Sequence, residues 1–211
     1  MTSRGRNTMS HAAMLVALCA LALVAGCGFT RSSPVKETYL LDPAAPPAAA
    51  KPQPGSLRVG AINVAAPFRG RNFVVRDTEL QYESDFYHEF IVPPAPMLAD
   101  ATTRSLGAAK VFASVSRPGA ATSADWVLDG FVSALYADMR DAKQTAAVIE
   151  VTYYLSRDDG VSSPMWSQTY RKEVPVASSS TSAYVGGLNT ALAEILADLA
   201  RDLASAPLPK S

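Results

Sequence analysis

From Val185 to Leu203 the large apolar residues fall at three- and four-residue spacing: Val185, Leu188, Leu192, Ile195, Leu196, Leu199 and Leu203. That stripe marks an amphipathic helix, and a helix apolar on one side needs a second layer to cover that side. The covering layer is legible upstream. Ala147, Ile149, Val151, Tyr153 and Leu155 alternate with Glu150, Thr152 and Ser156, the two-residue period of a strand with one buried face. A one-sided helix and a one-sided strand together call for helix packed on sheet.

The remaining elements fit that plan. Residues 57–65 are apolar and β-branched, so they read as a strand; residues 73–76 and 80–83 read as two short strands joined by Asp77-Thr78-Glu79. Pro93-Pro94 opens a helix with Met97, Leu98, Ala101 and Leu106 on its apolar side and Gly107 as its C-cap. Strands follow at 111–115, 125–136 and 145–156, then the turn Asp158-Asp159-Gly160 and a return strand at 166–174. Ser180, Thr181 or Ser182 caps the last helix, and Pro207 and Pro209 end it. The order of strands, helix, strands, helix predicts a single α+β domain over residues 57–206. Its sheet is mostly antiparallel, two helices pack on one face, and residues 207–211 form a short tail.

The N-terminus carries the three parts of an export signal. Arg4 and Arg6 supply positive charge with no opposing acid, and residues 12–25 form an apolar run of 14 residues. That length suits a signal peptide and falls short of the roughly 20 residues that a bilayer-spanning helix needs. The run ends in Leu23-Val24-Ala25-Gly26-Cys27, which resembles the lipobox of bacterial lipoproteins. The Cys27 thiol can take a diacylglyceryl thioether, and cleavage between Gly26 and Cys27 frees an amine that can also be acylated. An ordinary secretory signal or an uncleaved transmembrane anchor explains fewer of these features. Residues 1–26 therefore read as a lipoprotein signal peptide, with Cys27 as the lipid attachment site. Two or more acyl chains anchor durably where one is marginal, at about 0.8 kcal/mol per buried methylene.

Residues 27–56 read as a tether. Positions 28–56 hold six prolines and many alanines, a composition that favours extended chain over a core. Tyr39-Leu40-Leu41 interrupts it as a short edge strand docking on the domain. The free part is then residues 28–38, which at about 3.1 Å per residue reaches roughly 34 Å.

Removal of residues 1–26 leaves 185 residues, enough for one domain with a proper core, carrying 17 basic against 19 acidic residues. No basic excess is present for nucleic acid. Cys19 leaves with the signal and Cys27 is blocked by lipid, so the mature domain has no disulfide although its compartment is oxidising. His11 is lost and His88 remains. One histidine and no free thiol exclude a His/Cys zinc cluster and leave little for nucleophilic catalysis; no cofactor is implied.

Catalytic spacings are correspondingly sparse. Gly160-Val161-Ser162-Ser163 lacks the closing glycine of a nucleophile elbow, and no phosphate-binding glycine loop occurs. Asp138 with Asp141, and Asp158 with Asp159, are the available carboxylate pairs, and both sit where solvated turns are expected. Pro67-Phe68-Arg69-Gly70-Arg71 offers two arginines to a phosphate or carboxylate, although exposed loop cations account for it more simply. Phe86-Tyr87-His88-Glu89-Phe90 is either a partner surface or core packing ahead of the first helix. His88 within it reads as a hydrogen-bonded structural residue.

Taken together, four stretches resemble the ABC-type transport auxiliary lipoprotein component family, the group of PqiC-like intermembrane transport lipoproteins. They are Tyr39-Leu40-Leu41-Asp42-Pro43; Leu57-Arg58-Val59 running on to Ala66-Pro67-Phe68-Arg69-Gly70-Arg71-Asn72-Phe73-Val74-Val75-Arg76; Phe86-Tyr87-His88-Glu89-Phe90 with Pro93-Pro94 and Met97-Leu98; and Ala124-Asp125-Trp126-Val127-Leu128-Asp129-Gly130 with Tyr136 and Asp138. Phe90, in place of an expected tryptophan, and the pair Gly186-Gly187 depart from the pattern.

The resemblance implies an accessory of a transport system built from an inner-membrane ABC transporter or membrane protein and an MCE-domain protein. Such systems move lipids or other hydrophobic molecules between membranes. It also implies a lipid anchor on the outer membrane facing the periplasm. Gly28, which is not an aspartate, agrees with that sorting. A ring of identical copies at the end of a transport tunnel is a corollary of the role. The residues alone describe an anchor, a tether and a compact docking domain without a catalytic set. The alternatives are a structural lipoprotein of envelope or secretion assembly and, third, a carboxylate-dependent periplasmic hydrolase.

Overall fold

The computed structural model describes residues 35–209 apart from 161 and 162. Gly26 and Cys27 lie outside the described residues. The chain runs β1 (Glu37–Tyr39), β2 (Gln53–Val64), β3 (Asn72–Arg76), β4 (Tyr82–Phe90), α1 (Pro94–Ala108), β5 (Phe112–Ser116), β6 (Trp126–Asp138), β7 (Ala146–Arg157), β8 (Trp166–Pro175) and α2 (Thr181–Ser205). A 3-10 turn, Ala66–Phe68, separates β2 from β3.

β6 is the axis of an open, eight-stranded mixed sheet. One edge of β6 pairs antiparallel with β7 along its whole length, and β7 pairs antiparallel with β8. The other edge is shared. β2 runs parallel to the first half of β6, from Leu57↔Trp126 to Val64↔Val132, and β3 runs parallel to its end at Val75↔Ala137 and Arg76↔Asp138. β5 lies parallel to β2; β4 lies antiparallel to β3, with β1 parallel at its far edge. The long β6–β7–β8 ladders make most of the pairing antiparallel, and the architecture is the single-domain α+β fold read from the sequence.

The inward side chains of β7, Ala147, Ile149, Val151, Tyr153 and Leu155, are all buried. α2 lies over β7 and β8, and α1 over β2 and β5. The α2 stripe Leu188, Leu192, Ile195, Leu196, Leu199 and Leu203 is buried against that face. Full burial of one such leucine contributes about 1.5–3 kcal/mol. Gly187 permits the approach: a Cβ there would stand 2.7 Å from Ala147 Cβ and 2.8 Å from Val176 Cγ1. The glycine pair that departs from the family pattern thus has a packing reason at its second member.

Caps close the helix ends. The Ser180 hydroxyl accepts the Ala183 N–H at the start of α2. At its end Gln53 Nε2 donates to the carbonyls of Leu203, Ala204 and Ala206 at 3.0–3.1 Å. Two aspartates of the Ala124–Gly130 stretch similarly hold irregularities of β2. Asp125 Oδ2 accepts the Ser56 N–H and hydroxyl at 2.7 and 2.8 Å, beside Gly55 with φ +88°. Asp129 Oδ1 accepts the Ala61 N–H at 2.8 Å.

Several boundaries differ from the sequence reading. β1 occupies Glu37–Tyr39 instead of 39–41, because Leu41 turns into the core and its N–H meets Met97 Sδ at 3.4 Å. β2 begins at Gln53, ahead of Leu57. The strand expected at 80–83 is the nine-residue β4, and Leu80 projects into solvent from the preceding turn. α1 continues through Gly107; its reversal falls at Lys110, φ +52°, where the Val111 N–H returns to Leu106 O and buries Val111. This is the geometry of a Schellman-type ending, held here by the apolar residue after the turn.

Candidate functional site

Asp138, Asp141 and Asp158, singled out in the sequence, are committed to separate structural roles. Asp138, almost wholly buried, receives Arg140 as a fork: Nε donates to Oδ1 at 3.0 Å and Nη2 to Oδ2 at 2.8 Å. Arg140 Nη1 also reaches Glu79 Oε2 at 2.7 Å. The Arg140 hydrogen bonds hold the Asp138 carboxyl below its ordinary range against the opposing effect of burial. Asp141 instead accepts the Lys143 N–H at 2.8 Å within the β6–β7 turn. Asp158 takes Arg58 Nη2 at 2.7 Å and the Ala124 N–H at 3.3 Å, and the Arg58 bond lowers its pKa. No group of three or more potential metal-ligating side chains occurs among the described residues.

The two loop arginines do not form an anion clamp. Arg71 spans β3 and β4: Nε donates to Phe90 O at 2.9 Å and Nη2 to Glu89 Oε1 at 2.8 Å. Arg69 Nε reaches only the Val64 carbonyl, at 3.5 Å. Phe68, just before them in the chain, is buried and stacks on Tyr136 at 5.8 Å. Arg76 lies over the Tyr82 and Tyr136 rings and donates to Glu79.

The aromatic run divides into inward and outward residues. Phe90 is buried and meets Phe73 edge-on at 4.5 Å. Phe86 is 67% exposed and Tyr87 44%, with ring centroids 5.3 Å apart and nearly perpendicular. Core packing therefore holds for Phe90, while Phe86 and Tyr87 stand exposed.

The cause is a bulge. Asn72 pairs with Glu89 and Val74 with Ser84, so residues 85–88 of β4 stand opposite Phe73 alone. Asp85 pins the protruding backbone: Oδ1 accepts the N–H groups of Tyr87 and His88 at 2.8 and 3.1 Å, and Oδ2 lies 2.6 Å from His88 Nδ1. Asn72 Nδ2 donates to the Asp85 carbonyl at 2.7 Å. Burial pushes the Asp85 carboxyl upward, but the bonds from His88 and Tyr87 outweigh it and leave the pKa lowered. Sequence reasoning missed Asp85 and its neighbour Lys36. The available signal was an aspartate two residues before Tyr87, the spacing of a side chain that bonds its own backbone two residues on.

Cavities of about 190, 280 and 270 Å³ indent the described surface. Each is below the about 300–1,000 Å³ of a pocket that encloses a drug-sized ligand. The smallest adjoins the bulge, between Phe73, Phe90, Leu135, Tyr184 and Leu188. No helix among the described residues is long and apolar enough to cross a membrane.

These features define a two-layer α+β domain whose conspicuous charged groups act as internal struts and whose aromatic bulge is presented to its surroundings. Residues 39–200 match the family of the ABC-type transport auxiliary lipoprotein component, and the chain belongs to that family. It is therefore related to accessory components of transport systems, a family of membrane-anchored envelope lipoproteins and not a family of enzymes. No curated protein matches the chain.

Among solved structures, a Xanthomonas campestris protein is similar in fold at 22% identity and a TM-score of 0.69, over 79% of this chain and 95% of its own. An uncharacterised protein is similar at 18% identity and 0.64, over 80% and 99%. A PelC dodecamer from Paraburkholderia phytofirmans matches at 19% identity over 73% of this chain and 93% of its own, with a TM-score of 0.39.

Proposed function

We propose that this chain, acylated at Cys27, is a periplasm-facing lipoprotein of the outer membrane. It serves as a docking accessory of an MCE/ABC-type intermembrane system that transports lipid or other hydrophobic molecules. Family membership across residues 39–200 carries the reading. The chemistry of the domain supports it. Its buried acid is neutralised in an ion pair, and its exposed aromatics stand on a pinned backbone. In this role the domain works by position: the anchor keeps it at one membrane, where its surface receives the end of an MCE-domain protein reaching from the inner membrane.

The test is a mild-detergent pull-down of tagged full-length protein beside a Cys27→Ala variant, with mass spectrometry of partners and fractionation of membranes. Co-purification of an MCE-domain protein with its inner-membrane partners, and loss of the variant from the outer membrane, is the expected result. Recovery of envelope-assembly or secretion components instead would establish the structural-lipoprotein alternative. A variant that stays on the membrane would overturn the acylation.

A further inference from the structure

Phe86 and Tyr87 leave a large aromatic surface in water at the one place where β4 departs from its ladder. Rings of this size usually contribute to a core or an interface. Here they are held outward, because Asp85 and Asn72 fix the backbone beneath them with four hydrogen bonds. The exposure is thus part of the fold and does not depend on a fraying end.

The position of the bulge identifies its occupant. Lys36 Nζ sits 4.9 Å from the centre of the Phe86 ring. Lys36 is nine residues after Cys27, and a chain spans at most about 3.6 Å per residue, so the Lys36 backbone can lie no more than roughly 32 Å from an anchor at Cys27. A domain of this length has a radius of gyration of about 16 Å and hence a diameter near 40 Å. The bulge therefore lies beside the point where the chain that leads to the anchor enters the domain.

Phenylalanine, tyrosine and lysine together are the residues that partition into the headgroup region, rings among the upper acyl chains and ammonium in water. The surrounding charges are already paired: Glu89 with Lys36 and Arg71, and Asp85 with His88. No cationic surplus is left for anionic headgroups, so the contact is apolar. We propose that Phe86 and Tyr87 seat the domain on the lipid surface that carries its anchor, fixing which face it turns to the periplasm. The proposal rests on acylation of Cys27 for proximity.

The experiment uses full-length, lipidated protein carrying Ser84→Cys. That thiol is the only free one once Cys19 leaves with the signal and Cys27 is acylated. An environment-sensitive nitrobenzoxadiazole label is attached there, and the protein is reconstituted in phosphatidylethanolamine–phosphatidylcholine vesicles with nitroxide-labelled acyl chains. The label is expected to shift to shorter wavelength and be quenched, unchanged between about 0.1 and about 0.5 M salt. Adding Phe86→Ser and Tyr87→Ser should cut the quenching several-fold while circular dichroism and the thermal midpoint stay the same, since both rings are exposed. Protein that floats with the vesicles while its label remains water-like would overturn the proposal and leave the acylation standing. Protein that fails to float would overturn the acylation. A label that shifts without vesicles, as protein concentration rises, would assign the aromatics to a second copy and overturn the lipid reading.

Discussion

At the scale of single residues, Asp138 shows how far charge placement can be read in advance. The sequence offers it as one of two spaced carboxylates, open to catalytic or structural use. The structure gives it a partner two residues away, on the same turn of chain. Charge-assisted hydrogen bonds to a buried carboxylate contribute about 1.5–3 kcal/mol, so Asp138→Asn should cost about 2 kcal/mol in urea denaturation at pH 7. The pH dependence has a definite sign. The folded carboxyl titrates below its ordinary value of 3.8, so the unfolded chain binds the proton more tightly. The stabilisation is full above the unfolded value, about 3.9, and is lost as pH falls through the lower folded one. The stability gap between the native chain and Asp138→Asn should therefore narrow below about pH 4. A gap that stayed constant into acid would mean that the ion pair contributes nothing.

Elements were legible where a single period ran uninterrupted. α2 and β7 follow from spacing alone, since each places its buried residues on one regular face. β4 was read too short because its ladder is broken by the bulge, which sets Phe86 and Tyr87 outward together and removes the alternation. The parallel partners of β6 were likewise hidden. Whether β2 and β3 share its edge depends on contacts across some 70 residues, and no local pattern encodes them. Gly186-Gly187 shows the same limit inside a helix, where only the tertiary neighbours tell the two glycines apart. A methyl group at Gly186 meets nothing within 4 Å, so Gly186→Ala should stabilise α2 by about 0.5–1 kcal/mol through helix propensity. At Gly187 the same methyl group collides with Ala147 and Val176 and should force α2 off the sheet, at about 1–3 kcal/mol. Opposite shifts of the thermal midpoint in the two variants are the expected outcome; two stabilising variants would mean that α2 packs less closely than described.

At the scale of the molecule, the proline-rich stretch decides how the domain is carried. Composition alone makes residues 28–56 a spacer, and at about 3.1 Å per residue a free spacer of that length would reach about 90 Å. The structure uses most of it otherwise. Glu37–Tyr39 pairs with β4, Leu41 plugs the core, the Ala49 N–H donates to Ala109 O, and Gln53 caps α2. Only the residues before Lys36 would then remain to span the distance from the anchor proposed at Cys27, which would keep the domain close to it. That closeness has a thermodynamic requirement, because the docked segment must be stable enough to resist being pulled out as tether. Burial of Leu41 contributes about 1.5–3 kcal/mol. The Gln53 cap adds about 1 kcal/mol, and the β1 pairing comes in addition. A chain beginning at Leu57 should accordingly lose about 3 kcal/mol or more against one beginning at Lys36, a large share of the about 5–15 kcal/mol that holds an ordinary domain together. Urea midpoints of the two chains check this. Equal midpoints would show that residues 36–56 are spacer after all, with a reach from the proposed anchor about three times that of the docked arrangement.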